Sequence, residues 1–316
     1  MALFALMRDV TMRAFAAGIL AGVLLIAPVS VDAWGMDVHR WITTRALAAL
    51  PEPLKAFYAT RAAMVVEHSV DPDLWRVVNL RTDRGDEDPN HFLDIDGLDE
   101  PRPFTGVPRD WDAYVTRYGL ERANKMGRLP WRTEELYKLV VSRFQDAVKN
   151  PQGYGLENAV YASAVLAHYI EDAHQPFHSV ANYDGQLTNQ RGVHSRFETE
   201  LPLRNRALLT RTLGPAKIYA ISNIREFVFD TLIANEAMVA GILDADRKAA
   251  EGREFYDDVY FAAFFKSTRP VLERRLSDAA SAVASVIVSA WTEGGKPPLP
   301  LTKTTTPVRI RREPSR

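Results

Sequence analysis

Residues 156–178 read LENAVYASAVLAHYIEDAHQPFH, and their apolar positions recur at the spacing of a helix. His168 and Asp172 lie four residues apart in this stretch, so both side chains project from one helical face. Pro176 lacks the backbone N–H that would continue the helix, and His178 follows the turn that results. An imidazole and a carboxylate on one face can bind a single metal ion without backbone strain. The stretch therefore supplies both a helix of the fold and candidate metal ligands.

A second pair repeats this geometry further along the chain. His194 and Glu198 are again four residues apart, on another predicted helix. One such pair is usually a surface ion pair, but two pairs within 31 residues, with His178 between them, favour a metal site. Imidazole combined with carboxylate suits zinc. The alternative is a buried polar network inside a helical bundle.

Helical spacing of apolar residues extends through most of the chain, and no stretch shows the sustained alternation of a strand. Between 80 and 111 the periodicity disappears and Asp, Gly and Pro accumulate, which predicts a long loop. The tail over 296–316 contains five prolines and six basic residues, which predicts disorder. We therefore predict one all-α domain, a helical bundle, over 34–295. Its helices are predicted at 38–50, 52–66, 133–149, 156–173, 195–212, 218–243 and 270–291.

The composition excludes several classes of protein. Of the 316 residues 47% are hydrophobic, which argues against a disordered chain. The 39 basic and 40 acidic residues give a net charge of −1, which excludes a nucleic-acid binder held by charge alone. No cysteine is present, so neither a disulfide nor a thiolate ligand can stabilise the fold. Any metal must therefore be bound by imidazole and carboxylate.

The first 33 residues have the features of a secretory signal peptide. Arg8 and Arg13 provide positive charge, and residues 14–31 are uncharged. The sequence Val31-Asp32-Ala33 matches a small-residue cleavage pattern. We therefore expect cleavage after Ala33 and a secreted or periplasmic protein. The alternative is an uncleaved N-terminal membrane anchor, because the uncharged stretch is nearly long enough to span a bilayer.

The ligand pattern resembles the signature of zinc-dependent phospholipases C and of the related single-strand-specific zinc nucleases. The resemblance covers essentially 34–292 and is closer to the phospholipase C branch. It includes Trp34, which would become the first residue after cleavage, and the final helix with Arg275 and Asp278. The motifs are His168-x3-Asp172-x2-Gln175-Pro176-x-His178, Gly192-x-His194-x3-Glu198, Trp34-x4-His39, Pro72-Asp73 and His91-Phe92-Leu93-Asp94.

The resemblance implies a site of three zinc ions. Asp73 is implied to orient or deprotonate the attacking water, with Asp71 as the competing choice. Cleavage after Ala33 would free the amine of Trp34 as a ligand, so the signal peptide and the site are coupled. The implied ligands are Asp73, His91, His168 and Asp172 for the first ion, His178, His194 and Glu198 for the second, and the Trp34 amine and carbonyl, His39 and the shared Asp172 for the third.

The resemblance also implies the reaction, which is hydrolysis of a phosphodiester by metal-activated water. A phospholipase C-like enzyme is favoured by Glu198 and by the short gap between His178 and His194, with transient contact to a membrane surface. A single-strand-specific nuclease or 3′-nucleotidase is the alternative, favoured by the spacing of Trp34 and His39. No obligate protein partner is evident. A third reading is a non-catalytic helical protein that zinc stabilises and that binds a partner.

Several other residues are candidates for smaller roles. A nuclease needs a platform on which a base can stack, and Phe92, Asn90 and Tyr183 are candidates for it. Trp75 is the tryptophan expected to line the cleft. No ligand role is expected for the other charged and titratable residues near the motifs. Glu171 is predicted to be a solvated acid, His174 to form surface hydrogen bonds, His68 to have no role, and the acidic run of Asp83, Asp86, Glu87 and Asp88 to form a solvated loop rather than a calcium site.

Overall fold

The computed structural model describes residues 34–78, 81–82 and 85–302. The predicted signal peptide and most of the predicted disordered tail lie outside the described residues. Within these ranges the chain is all-α, as predicted, and its strands are limited to the two-residue pair β1 (Arg81–Thr82) and β2 (Gly85–Asp86). Across the described ranges, no helix has both the length and the apolar character needed to span a bilayer.

The four longest of the described helices form two consecutive pairs, and shorter helices and turns precede and separate the pairs. Three 3₁₀ turns lie at Asp88–His91, Ile95–Leu98 and Pro176–Ser179, and a π-helical turn lies at Arg196–Glu200. The α-helices in chain order are α1 (Met36–Ala49), α2 (Leu54–Ala59), α3 (Ala62–His68), α4 (Asp71–Val77), α5 (Trp111–Tyr118), α6 (Leu120–Met126), α7 (Leu129–Lys149), α8 (Gly155–Asp172), α9 (Val193–Ser195), α10 (Leu201–Arg204), α11 (Arg206–Thr212), α12 (Ile224–Ala250) and α13 (Asp258–Glu293).

Helix α8 lies in the centre of the bundle. Every residue from Ala162 to Asp172 is buried, and α1, α3, α4, α7 and α13 all pack against this helix. A helix that is buried on all sides must be apolar on all sides, and α8 has no charged residue between Glu157 and Glu171. Its polar C-terminal turn is therefore held inside the protein.

Two hydrophobic clusters meet around that turn. Tyr169 and Ile170 belong to the larger cluster, which α7 and α8 dominate. Trp34 and Phe177 belong to the second cluster, to which α13 and α12 contribute most of the helical residues. The polar turn at the end of α8 thus lies between two dry regions, where buried charges require partners.

Helix boundaries differ from the prediction at several places. The predicted helix over 52–66 is divided into α2 and α3, because the backbone N–H of Arg61 bonds to Tyr58 O in a tighter turn and its guanidinium turns to Glu157. Helix α7 begins at Leu129 rather than at Thr133. The hydroxyl of Thr133 donates to the carbonyl of Leu129 within the helix instead of capping its start.

The last helix is longer than predicted, and the helix before it begins and ends later than predicted. Helix α13 begins at Asp258, where the side chain of Asp257 accepts from the backbone N–H of Tyr260, and it continues through Pro270. Residues 218–223 are extended rather than helical, so α12 begins at Ile224. The extended segment is held on α13 by serine hydroxyls one turn apart. Its backbone N–H donors and their serine acceptors are Lys217–Ser281 (3.0 Å), Tyr219–Ser285 (3.1 Å) and Ile221–Ser289 (3.4 Å).

Candidate metal centre

The last turn of α8 carries the side chain around which the site is built. Asp172 is fully buried, and its Oδ2 atom lies 2.9 Å from His91 Nδ1 and 3.2 Å from His168 Nε2. Its Oδ1 atom lies 3.5 Å from His39 Nε2 and 3.6 Å from His178 Nδ1. Each carboxylate oxygen therefore faces a different pair of histidines. This arrangement suits a bridge between two cations, because it places negative charge between them.

Buried imidazoles and carboxylates form three groups, each with ligand atoms that lie within 4.8 Å of one another. These groups could hold metal ions, since their side chains are common ligands of divalent metals. His168 belongs to two of the groups, and its ring stacks on that of His39 with centroids 4.1 Å apart. The groups are Asp73–His91–His168, His39–His168–Asp172 and His178–His194–Glu198.

All eight residues predicted as side-chain ligands lie in these groups. The side-chain groups differ from the implied sets in two respects, since Asp172 is absent from the group of Asp73 and His91, and His168 joins the group of His39. Trp34, predicted to bind through its main chain, is buried next to the centre. Its indole N–H donates to the carbonyl of Glu171 at 2.8 Å.

Short elements position the ligands that lie outside α8. Asp73 is in the first turn of α4, which Pro72 helps to start, and His91 ends a 3₁₀ turn. The proline after α8 likewise starts the 3₁₀ turn that carries His178. Glu198 lies in the π-helical turn at Arg196–Glu200. Such turns often occur at functional sites because they redirect side chains from the regular helical spacing.

Gln175 connects the two turns that carry the His178 group. Its side-chain carbonyl accepts from the backbone N–H of Phe177 at 2.6 Å and so caps the 3₁₀ turn. Its amide N–H donates to Glu198 Oε2 at 2.9 Å. The glutamine of the motif is therefore a residue that orients a candidate ligand rather than a ligand itself.

Hydrogen bonds to carbonyl groups fix the tautomers of two histidines. His178 Nδ1 lies 2.7 Å from His91 O, and His168 Nδ1 lies 2.9 Å from Ser69 O. A carbonyl oxygen only accepts, so each Nδ1 must carry the proton. The Nε2 atoms of both rings then carry the lone pairs, which is the usual state of a metal-binding histidine.

Several buried polar atoms of the centre have no hydrogen-bond partner in the part of the chain that the structure describes, and they indicate whether its residues could bind a metal ion. Among the described residues no hydrogen-bond partner is found for His39 Nε2, Asp172 Oδ1 or Glu198 Oε1, although all three atoms are buried, and His194 Nε2 has only an ion-pair contact with Glu198 Oε2 at 2.9 Å. Buried polar atoms are nearly always paired, because leaving one unpaired costs about 1–3 kcal/mol. Here the lone pairs of imidazole nitrogens and carboxylate oxygens point towards one another with no N–H or O–H group of the described residues between them. Such atoms are typical ligands of a cation. The residues therefore fit divalent metal ions.

The electrostatics of the centre favour the neutral form of most of its imidazoles. The exception is His168, where burial lowers the pKa but the carboxylates of Asp172 and Asp73 raise it above its usual value. Burial lowers the pKa of His178 to about 4 and that of His194 to about 3, and it lowers the pKa of His39 well below its usual value. Burial alone would raise the pKa of Asp172, but His168 and His178 hold it well below its ordinary value. Neutral imidazoles and an ionised carboxylate are the forms that bind metal at neutral pH.

Arg76, which was not predicted from the sequence as a site residue, brings a positive charge to the edge of the centre. One guanidinium nitrogen lies 3.4 Å from Asp73 Oδ1, and another lies 2.9 Å from Asp88 Oδ1. Asp73 and Arg76 are three residues apart, but no helix was predicted there, so the sequence offered no reason to place the two side chains on one face. An arginine at this position could contact an anionic group of a ligand.

Three predictions about surface residues are wrong. Glu171 is fully buried rather than solvated, because α8 is enclosed on every side at this level. His174 is also buried, and its Nδ1 lies 2.7 Å from Ile170 O. Glu87 is buried as well; the hydroxyl of Tyr169 donates to its Oε1 atom, which lies 3.8 Å from His91 Nε2.

Asp71 and Asp73 have different surroundings. Asp71 is partly exposed, and its Oδ2 atom lies 2.9 Å from His68 Nδ1 and accepts from the hydroxyl of Tyr161 at 3.1 Å. Asp73 is buried, and its Oδ1 atom lies 3.7 Å from His168 Nε2. Of the two acids, Asp73 lies in the centre and Asp71 lies outside it.

The aromatic candidates lie at different depths. Tyr183 is 44% exposed, and its ring centroid is 6.5 Å from that of His194. Phe92 is half-buried and Asn90 is buried. Trp75 lines a cavity of about 530 Å³ together with residues of α7 and α8, including Arg132. Tyr183 is therefore the candidate that combines exposure with contact to a ligand histidine.

Asp94 makes the stability of the folded protein depend on pH. Its Oδ1 atom is buried, with no hydrogen-bond partner in the described ranges, and burial, with Asp96 and Asp88, raises the pKa of the carboxyl from 3.8 to about 8. The folded state thus favours the neutral acid, and the free energy of unfolding falls by about 1.4 kcal/mol per pH unit as pH rises from about 4 to about 8.

Between pH 6 and pH 8 we expect the free energy of unfolding of Asp94→Asn to rise by about 2 kcal/mol relative to that of wild type, as measured by urea unfolding. The same pH dependence in both proteins would contradict this assignment.

No model of a known protein family and no curated protein matches the chain. The resemblance to zinc phospholipases C and zinc nucleases therefore rests on the motif residues themselves.

Proposed function

We propose that this chain is a zinc-dependent phosphodiesterase, phospholipase C-like, with a centre of three zinc ions. The observation that carries the proposal is the position of Asp172, whose two oxygens face two pairs of histidines. A structural zinc site is usually closed, with four ligands that are often cysteines. Clustered groups of imidazole and carboxylate that share an acid favour catalysis instead.

The chemistry divides between the ions and the residues of the chain. When bound, zinc ions would polarise a phosphate group and lower the pKa of nearby water to about 7. Asp73 would accept a proton from the attacking water and orient it, because its carboxylate is held among His91, His168 and Arg76. Arg76 would contact a phosphate oxygen and help to hold the negative charge of the reacting group.

A lipid substrate is supported by the surface that follows Asp73. Leu74, Val77 and Val78 lie on or next to α4 and are 44%, 64% and 71% exposed. Single exposed apolar residues are common, but three near one candidate catalytic acid form a surface suited to transient contact with lipid. The proposed substrate is therefore a phospholipid at a membrane surface.

A single-strand-specific nuclease is the second candidate, and Tyr183 supports it. An exposed tyrosine whose ring lies beside that of His194 could provide a stacking surface for a nucleotide base. Tyr183→Ala would then reduce activity on single-stranded DNA by about 5- to 150-fold, corresponding to about 1–3 kcal/mol of stacking.

The test compares substrates on one preparation of the protein. Phosphatidylcholine vesicles, single-stranded DNA, a 3′-nucleotide and bis(p-nitrophenyl) phosphate are offered with and without chelator. Asp73→Asn serves as the inactive control, because it removes the proposed proton acceptor and keeps the volume of the side chain. Chelator-sensitive turnover that is highest on the vesicles supports the proposal, and preference for DNA selects the nuclease. A zinc-loaded protein that hydrolyses none of the four would overturn both and leave a non-catalytic zinc protein.

Arg76→Ala is expected to lower kcat/KM for a phosphodiester by about 10- to 100-fold, because a positive charge next to the reacting phosphate is lost. The metal content should stay at the wild-type value, since Arg76 is not a ligand. Steady-state kinetics and metal analysis check both points. Arg40→Ala is the matched control, because Arg40 pairs with Asp37 and Glu67 on the surface of α1. Equal losses in the two variants would contradict a role in phosphate binding.

A further inference from the structure

Glu171 contacts α1 with both oxygens of its carboxylate. Its Oε2 atom lies 2.5 Å from His39 Nδ1, and its Oε1 atom accepts from the hydroxyl of Thr43 at 2.7 Å. All three side chains are fully buried. A buried carboxylate is costly without such partners, so this arrangement ties the last turn of α8 to the helix that carries His39.

The contact with Glu171 determines which face His39 offers to the centre. Its Nδ1 atom is engaged by the carboxylate, so its Nε2 atom faces Asp172 Oδ1 at 3.5 Å. That Nε2 atom is buried and has no hydrogen-bond partner within the described part of the chain. Metal-binding histidines commonly donate their other ring N–H to a carboxylate, which fixes the tautomer and the ring orientation.

The main chain of Glu171 holds the start of the same segment. Its carbonyl accepts from the indole N–H of Trp34 at 2.8 Å, and the backbone N–H of Gly35 donates to Thr199 Oγ1 at 3.2 Å. One residue of α8 thus contacts both Trp34 and His39. The backbone that links them is also anchored to the π-helical turn beside the second ligand group.

We propose that Glu171 is a positioning residue for the ion bound by His39, which it holds with Nε2 directed at Asp172. The proposal rests on the metal centre of the proposed function and concerns one of its three ions. Glu171 reaches that ion through His39 rather than as a ligand. Its loss should therefore weaken one site and leave the other two unchanged.

The test measures zinc affinity site by site, by competition with a chromophoric chelator, together with metal content by mass spectrometry. In Glu171→Ala the affinity of a single site is expected to fall about 10- to 100-fold, with the other two at wild-type values. Glu157→Ala is the matched control, because it removes another carboxylate of α8 that pairs with Arg61 away from the centre. The control should bind zinc as wild type does.

Two further variants keep the test decisive if Glu171→Ala does not fold. Glu171→Gln keeps the volume but loses the charge, so a fall of about threefold or more is expected at the same single site. Thr43→Val removes one of the two contacts to the carboxylate and should have a smaller effect in the same direction. Wild-type affinities at all three sites in both variants would overturn the proposal. Equal weakening of all three sites would also overturn it, because Glu171 would then support only the fold.

The zinc content of the wild-type protein distinguishes a failure of the proposed metal centre from a failure of the proposed role of Glu171. A wild-type protein without stoichiometric zinc contradicts the metal centre and the inference with it. A wild-type protein with three ions, beside Glu171 variants of unchanged affinity, contradicts only the role of Glu171. Melting temperatures in excess chelator, compared between each variant and wild type, show whether a substitution destabilises the metal-free fold.

Discussion

Asp172→Ala is expected to release more than one metal ion per chain and to lower phosphodiesterase activity to below about 1% of wild type. Both oxygens of this carboxylate face candidate ligands, with His91 and His168 on one side and the Nε2 atom of His39 on the other, where the protonated Nδ1 of His178 also lies nearby. Removing it would leave adjacent dications without an anion between them, so neither neighbouring site keeps its affinity. Metal content per chain after gel filtration, together with turnover of bis(p-nitrophenyl) phosphate, measures both effects.

Asp71→Ala is the matched control for this substitution. Asp71 is also an aspartate near the centre, but its carboxylate pairs with His68 and Tyr161 outside it. The control should retain its metal and most of its activity. An Asp172→Ala protein that keeps all of its metal would contradict the bridging role of this residue.

Removal of metal by a chelator is expected to abolish turnover and to lower the melting temperature by at least about 10 °C. The chain has no cysteine, so no disulfide can compensate for the loss of the ions. Without a cation, the converging lone pairs of His39, His194 and Glu198 remain buried and unpaired. Differential scanning calorimetry before and after chelation, with parallel assays, measures the two effects.

Addition of zinc should restore both properties, whereas magnesium should not, because magnesium prefers oxygen ligands and retains its water. An unchanged melting temperature after complete removal of metal would contradict a metal-stabilised centre. A large fall in melting temperature for a protein that never had activity would support the non-catalytic reading instead.

Local spacing is what made the centre predictable from the sequence. His168 and Asp172, and again His194 and Glu198, are four residues apart, and helical geometry alone places each pair on one face. Helix α8 ends at Asp172, and Pro176 starts the 3₁₀ turn that follows, as a residue without a backbone N–H is expected to do. Placement of Asp73 and His91 in the same groups depended on the resemblance, because no local rule connects loops that are far apart in sequence.

The burial of Glu171 and Glu87 could not be predicted from the four-residue spacing of helical pairs. Glu171 was expected to be solvated because it points to a different helical face from Asp172. The available signal was the absence of charged residues between Glu157 and Glu171, since a helix that is apolar all round is enclosed all round. Glu87 gave no such signal, because its burial depends on Tyr169, which is distant in sequence.

Helix ends were less predictable than helix interiors. Pro270 reads locally as a helix start, but the packing of α13 carries the helix through it from Asp258. Thr133 resembles a cap, yet α7 already begins at Leu129. In both cases the helix begins earlier than the local sequence signal indicates, because packing against the rest of the protein stabilises the additional residues.

The metal content of the purified protein, with its N-terminus established by sequencing, tests the trinuclear centre most directly. Mass spectrometry of the metals gives the number of ions per chain, and it requires no choice of substrate. We expect three zinc ions in a chain that begins at Trp34, because a free amine at this residue would complete the ligand set of His39 and Asp172. A chain that begins at Trp34 and retains no stoichiometric metal would contradict the centre and, with it, the proposed enzyme.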